Sequence, residues 1–221
     1  MDPSGLVIFD CDGVLVDSER LTVAIEARLL TELGAPYSEQ DVVDAFMGRT
    51  AAAGQLLLER LLGPELAAEF DRRSTTEIRQ AFSSSLTPVA GVERVLAALR
   101  ARNLPHCVAS SGSHEKMRLT LGLTGLAHQF DGRIFSASEV PRGKPFPDLF
   151  LHAAWSMGVD PARCVVVEDS VPGVHAAVAA GMTAYGFTGG LAAAGSLAAA
   201  GAIPFERMEE LLQEFAPGGS M

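Results

Sequence analysis

The sequence predicts an α/β fold in which a parallel sheet, covered by helices on both faces, is interrupted by an all-helical insert. Three observations lead there. Short apolar runs recur along the chain, and each ends in a cluster of polar residues. Helical periodicity fills the intervals between most of these runs. One long stretch, from 16 to 87, carries helical periodicity alone. Strands that alternate with helices imply parallel pairing through right-handed crossovers.

The first run is Gly-Leu-Val-Ile-Phe at 5–9, bounded by polar residues and uniformly apolar, as a strand buried on both faces must be. A second strand fits 104–109 and a third fits 163–167, which lead into Ser110 and Glu168. A weaker fourth fits 182–187. Between them Val92, Val95, Leu96 and Leu99 recur at helical spacing, and 147–158 and 171–181 read as helices too. In the insert, one helix would present Leu21, Ile25, Leu29 and Leu33, and another Leu57, Leu58, Leu61 and Leu62. Hinges are expected at 14–18 and 84–90, the second carrying three serines and Pro88. The expected division is a Rossmann-like core of 1–15 and 88–221 with a helical cap domain of 16–87. The alanine- and glycine-rich segment 189–202 reads as a loop and a short helix, with no chemistry assigned.

Bulk properties narrow the classes of function. The chain has 221 residues, 48% of them hydrophobic and 20% charged, which is ample for a buried core. A formal net charge of −10 argues against nucleic acid as a partner, because that needs a basic face. No run approaches the ~18 apolar residues of a membrane span, and no basic region followed by an apolar stretch marks a signal peptide. A cytoplasmic protein is therefore expected. Cys11, Cys107 and Cys164 are odd in number and widely spaced, so reduced thiols packed as small apolar groups are expected.

In an open parallel sheet, ligands bind outside the carboxyl ends of the strands. The polar residues collect there: Asp10 and Asp12 after the first strand, Ser110, Ser111 and Gly112 after the second, Glu168, Asp169 and Ser170 after the third. Lys144 lies in Gly-Lys-Pro-Phe-Pro-Asp, a loop stiffened by two prolines. Each group alone has an ordinary explanation, as a turn, a helix cap or a solvated lysine. Together they do not: carboxylates converging from two strand ends repel one another unless a hard cation lies between them. A lysine and a hydroxyl beside such a cation make a phosphate site.

These residues carry a family resemblance. Phe-Asp-Cys-Asp-Gly-Val-Leu-Val-Asp-Ser at 9–18 resembles the first motif of the haloacid dehalogenase superfamily. Ser110, Lys144 and Glu168-Asp169-Ser170 resemble the second, third and fourth, in the right order. The insert resembles the type-1 cap of the phosphatase and β-phosphoglucomutase branch. The resemblance implies a phosphatase of a small phosphorylated metabolite, a sugar phosphate or 6-phosphogluconate type. Asp10 would attack phosphorus and form an aspartyl phosphate, and Asp12 would act as general acid and base. Ser110, Ser111, Gly112 and Lys144 would hold the phosphate, and Asp10, Asp12, Glu168 and Asp169 would hold Mg²⁺. A monomer or weak homodimer is expected. Arg49, next to Gly48, could reach an anionic substrate; a surface arginine at a helix start is the alternative.

Relatives with other chemistry fit less well. Dehalogenases lack an aspartate at the place of Asp12, and phosphonoacetaldehyde hydrolases use a cap lysine, whereas 18–83 contains none. β-Phosphoglucomutase carries a cap histidine where this chain has Thr22, and an arginine where it has Ala51. Response-regulator receivers are about half as long and arrange their acidic pair differently. A sugar-phosphate mutase and a non-catalytic sugar-phosphate-binding module stay as alternatives.

Overall fold

The structure is a computed structural model that describes residues 5–46 and 51–215. The chain divides into two compact units, one of residues up to Asp17 together with Thr87 onward, the other Ser18–Leu86.

The first unit is built on a six-stranded sheet: β1 (Leu6–Phe9), β2 (His106–Ser110), β3 (Ile134–Ser136), β4 (Cys164–Glu168), β5 (Thr183–Phe187) and β6 (Ile203–Phe205). Every pairing is parallel and the order is β3-β2-β1-β4-β5-β6. The expected strands are present, and two more, β3 and β6, complete the edges. All four residues of β1 are fully buried, which is what a central strand covered on both faces demands. Leu6 and Ile8 face a core shared with Cys107, Ala109, Val166 and Ala184 of neighbouring strands. Leu149, Phe150 and Ala153 of a helix at Asp148–Ser156 and Val174, Ala176 and Ala177 of another at Val171–Ala179 close that face. The stripe Val92, Val95, Leu96 and Leu99 is buried as expected, in a helix at Val92–Ala101. The sole tryptophan, Trp155, is by contrast 78% exposed. All three cysteines are buried and free of disulfides, and burial pushes each thiol upward.

The second unit is all-helical among its described residues: α1 (Ser18–Glu32), α2 (Glu39–Phe46), α3 (Ala51–Leu62) and α4 (Pro64–Ser85). The remaining helices of the first unit continue the numbering as α5 (Val92–Ala101), α6 (His114–Leu123), α7 (Asp148–Ser156), α8 (Val171–Ala179), α9 (Ala194–Ala199) and α10 (Leu211–Glu214). The helical unit starts at Ser18 rather than 16 because the preceding residues belong to the sheet unit. Val16 bridges to both Asp12 and Pro88, and the Asp17 amide donates to the Thr87 carbonyl at 3.0 Å. The faces of the insert differ from expectation. On α1 the buried residues are Val23, Ala27, Leu29 and Leu30 with Ser18, while Leu21 and Ile25, and Leu33 just past the helix end, are only half-buried. Within this unit α4 packs on α1. On α3 only Leu58 of the four leucines is buried.

Candidate active site

The position of each functional side chain follows from strand register. Phe9, the last residue of β1, lies opposite Val108 of β2 and Val167 of β4. Asp10 therefore leaves the sheet level with the ends of both neighbours, its amide still donating to the Val167 carbonyl at 3.0 Å. Ser110 closes β2 and Glu168 closes β4, one on each side of it. Between β1 and β4 the connections leave in opposite directions across the sheet, which opens the crevice where α/β sheets bind ligands.

After Asp10 the chain turns back on itself. Gly13 adopts φ +75°, a left-handed conformation that favours glycine, and its amide donates to the Val16 carbonyl at 2.9 Å. The amides of Leu15 and Val16 both donate to the Cys11 carbonyl. This loop brings Asp12 beside the chain that follows β2. There Gly112 forms the floor: a Cβ on it would lie 3.6 Å from Ser110 Oγ and 3.7 Å from Asp12 Oδ2. The Gly112 amide donates to Ser110 Oγ at 3.1 Å, and Ser136 Oγ of β3 donates to the Gly112 carbonyl at 2.8 Å. The loop is thus braced from the adjacent strand.

Lys144 arrives from the loop before α7. Its Nζ donates to Asp10 Oδ1 at 2.5 Å and to Glu168 Oε1 at 2.6 Å, and stands 5.1 Å from the centre of the Phe150 ring. The three charged side chains are 5%, 9% and 1% exposed, so their interaction is little screened by water. Burial pushes the Asp10 carboxyl up; Lys144 pulls it back, and Glu168 and Asp12 push further. Burial lowers the Lys144 ammonium, but the two carboxylates outweigh it and hold it above the ordinary lysine range.

Glu168 has both oxygens engaged. While Oε1 takes Lys144, Oε2 accepts from the amides of Asp169 and Ser170 at 2.9 and 2.8 Å and from Ser170 Oγ at 2.9 Å. Ser170 in turn caps α8, accepting from the Gly173 amide at 3.1 Å. The carboxylate lies directly on α8: a Cβ on Gly173 would fall 1.9 Å from Glu168 Oε1. Asp169 is 5% exposed and turns the other way, where a Cβ on Gly190 would come 3.5 Å from its Oδ2.

The sheet thus brings Asp10, Asp12, Ser110, Gly112, Lys144, Glu168 and Asp169 to one rim, and Ser111 is exposed between Ser110 and Gly112. Arg49 and its neighbours 47–50 lie outside the described residues. Among the described residues no three carboxylates, imidazoles or thiols form a ready metal-binding cluster. The carboxylates of Asp10, Asp12, Glu168 and Asp169 are oxygen donors of the type a hard divalent cation takes.

Sequence reasoning passed over Lys116. It lies in the first turn of α6, and its Nζ donates to Asp12 Oδ2 at 2.8 Å. Burial lowers its ammonium, but Asp12 more than offsets this and the net shift is upward. A charged residue on a helix reads as a solvated one; the available signal was that, of 17 basic side chains, only Lys116 and Lys144 are lysines. Gly190, in a segment to which no chemistry was assigned, was missed as well.

Comparison with known proteins places the chain in a family. The family model for haloacid dehalogenase-like hydrolases matches residues 5–181. The 6-phosphogluconate phosphatase of Escherichia coli K12 is 33% identical over 182 residues, which span 82% of this chain and 81% of that one. A phosphorylated carbohydrates phosphatase of Thermotoga maritima is 33% identical over 208 residues, covering 93% and 95%. Among solved structures, a HAD family hydrolase from Deinococcus radiodurans R1, crystallised with phosphate and sodium, superposes with a TM-score of 0.82. It is 31% identical, with coverage of 97% of this chain and 95% of that one. With four motifs meeting at one sheet edge and a family model spanning β1 to the end of α8, the chain belongs to the haloacid dehalogenase-like hydrolases.

Proposed function

We propose that the chain is a Mg²⁺-dependent phosphatase that hydrolyses a small phosphorylated metabolite, of sugar-phosphate or 6-phosphogluconate type, through an aspartyl phosphate on Asp10. The observation that carries this reading is the buried contact of Asp10 with Lys144, with the second aspartate, Asp12, two residues on and beside Ser110. A carboxylate nucleophile must approach a phosphate dianion, and an adjacent buried ammonium offsets that repulsion. The relatives named above for 6-phosphogluconate and phosphorylated carbohydrates support the substrate class.

Asp10 and Asp169 side chains with the Asp12 carbonyl would hold the cation, and Gly190 keeps clear the space beside Asp169. When bound, Mg²⁺ supplies positive charge to the transferring phosphoryl group and helps hold it in line. Glu168 would add a further carboxylate beside the cation, its Oε1 also accepting from Lys144. In the first step an Asp10 oxygen bonds to phosphorus while the bond to the leaving oxygen breaks. Asp12 gives that oxygen its proton. In the second, Asp12 takes a proton from water as the water oxygen bonds to phosphorus, and the bond from phosphorus to the Asp10 oxygen breaks, which releases inorganic phosphate and restores the Asp10 carboxylate. Because Ser110 Oγ already accepts from the Gly112 amide, its hydroxyl proton can turn to a phosphoryl oxygen.

Choice among substrates is assigned to the helical unit. Thr22, which donates its hydroxyl to the Ser18 carbonyl within α1 at 2.9 Å, stands where a mutase would need a histidine, and that residue type supports the phosphatase reading. The test is release of inorganic phosphate from a panel of phosphorylated metabolites with Mg²⁺, with Asp10→Asn alongside. Turnover of sugar phosphates that the variant loses supports the reading. Isomerisation of glucose 1-phosphate without release would move it to a mutase, and binding without either reaction to a sensor module.

A further inference from the structure

We propose that Lys116 is a positioning residue that fixes the Asp12 carboxyl over the Ser110–Gly112 loop, in the orientation that hands a proton to the leaving oxygen. The inference rests on the phosphatase reading above and deepens it.

Several observations converge. Among 17 basic side chains the chain has two lysines, and each donates to one of the paired aspartates: Lys144 to Asp10, Lys116 to Asp12. Lys116 reaches its partner across 104 residues of sequence, so the contact is made by the tertiary fold. The fold also aims it. Ser113 caps α6 by accepting the amide of Lys116 itself at 3.2 Å, which sets the register of this residue. Its stem then runs over Gly112, where a Cβ would stand 3.6 Å from Lys116 Cδ. Gly112 thus serves lysine, serine and aspartate together.

The choice of lysine over arginine has a chemical consequence. An arginine fork binds both oxygens of a carboxylate at once, whereas an ammonium is a compact donor that holds one. Lys116 takes Oδ2 and so fixes the plane of the carboxyl, which sets the direction in which Asp12 hands over its proton. When Asp12 gives that proton to the leaving oxygen, the bond to phosphorus breaks toward that oxygen and Asp12 becomes a carboxylate. The ammonium already beside it balances the new charge without moving. At 45% exposure Lys116 adds little to stability, which separates its role from that of the buried Lys144.

The experiment exploits the leaving group. Lys116→Met and native protein are compared with Mg²⁺ on a sugar phosphate, whose alkoxide must be protonated, and on p-nitrophenyl phosphate, whose phenolate leaves unaided. Loss of oriented general acid help predicts a kcat/KM, which reports the first step, reduced about 30-fold or more on the sugar phosphate and under about 3-fold on p-nitrophenyl phosphate. Lys116→Arg, which keeps the charge but clamps both oxygens, should recover only part of the sugar-phosphate rate. An equal loss of kcat/KM on both substrates, or a Lys116→Met variant as fast as native, would overturn the proposal, as would full recovery in Lys116→Arg. Native protein that released phosphate from neither substrate would instead overturn the phosphatase reading beneath it.

Discussion

Replacing Gly173 by alanine sets two physical effects against each other, and the structure decides the sign. Gly173 is the third residue of α8. Alanine in a helix is favoured over glycine by about 1 kcal/mol, so propensity alone predicts stabilisation. Packing predicts the reverse. The added Cβ would stand 1.9 Å from Glu168 Oε1, 2.0 Å from Cδ and 2.5 Å from Oε2, against an ordinary contact of at least 3.4 Å. The carboxylate must retreat, yet it is 1% exposed and held by the Ser170 hydroxyl, two backbone amides and Lys144. Uncoupling one partner of a buried charged pair costs roughly 3–5 kcal/mol. Set against the propensity gain, Gly173→Ala should lose about 2–4 kcal/mol. Urea unfolding followed by far-UV circular dichroism reads this directly, and kcat should fall at least about tenfold, because Lys144 is shared with Asp10. Gly122 in α6, with nothing within 4 Å of its Cβ position, is the control, and Gly122→Ala should stabilise by about 0.5–1 kcal/mol. A Gly173→Ala protein as stable as its Gly122→Ala counterpart, with native kcat, would refute the packing of Glu168 on α8.

Other perturbations follow from the same geometry. Chelation with EDTA should abolish phosphate release without unfolding the chain, and added Mg²⁺ should restore it; release that survives chelation would remove the cation from the mechanism. Ile8→Ala, at a fully buried position in the central strand, should cost about 2–5 kcal/mol in urea unfolding. Burial, aided by Asp71, raises the Glu26 carboxyl from 4.5 to about 7. The folded state then holds a proton there that the unfolded chain has lost, so stability falls as pH rises from about 4.5 to about 7. Glu26→Gln should flatten that decline, measured as the unfolding midpoint across the window; an unchanged slope would place the titration elsewhere.

What was legible in the sequence had a local signature. β1, β2, β4 and β5 are runs of four or five residues made conspicuous by their apolar character. β3 and β6 are three residues each, Ile-Phe-Ser and Ile-Pro-Phe, too short for any period and, in β6, carrying a proline tolerated at a sheet edge. Asp10, Asp12, Ser110, Lys144, Glu168 and Asp169 could be read because each follows a strand or sits in a marked loop. Lys116 could not, since only the turn at Gly13 and the floor at Gly112 bring Asp12 within its reach. The face of α1 was legible only at Leu29, because the stripe otherwise runs through Val23, small Ala27 and Leu30, and Ala27 carries little hydrophobic signal. The close approaches at Gly173 and Gly190 depend on tertiary contact alone.

The insertion of the helical unit between β1 and the rest of the sheet has a consequence for how the chain can fold. β1 is the middle strand, yet its partners begin at His106 and Cys164. At a synthesis rate of 5–20 residues per second, β1 waits about 10–30 s for β4 to emerge. During that wait its four apolar residues lack their final neighbours. The stretch Ser18–Leu86 is a compact unit with its own internal contacts; if it folds first, it draws Asp17 and Thr87 to hydrogen-bonding distance and shortens the loop that β1 must close. The part of the chain assigned to substrate choice would then double as the clamp that registers the central strand. Loosening its α1–α4 packing should slow refolding of the sheet even where the final stability of the sheet unit is little altered.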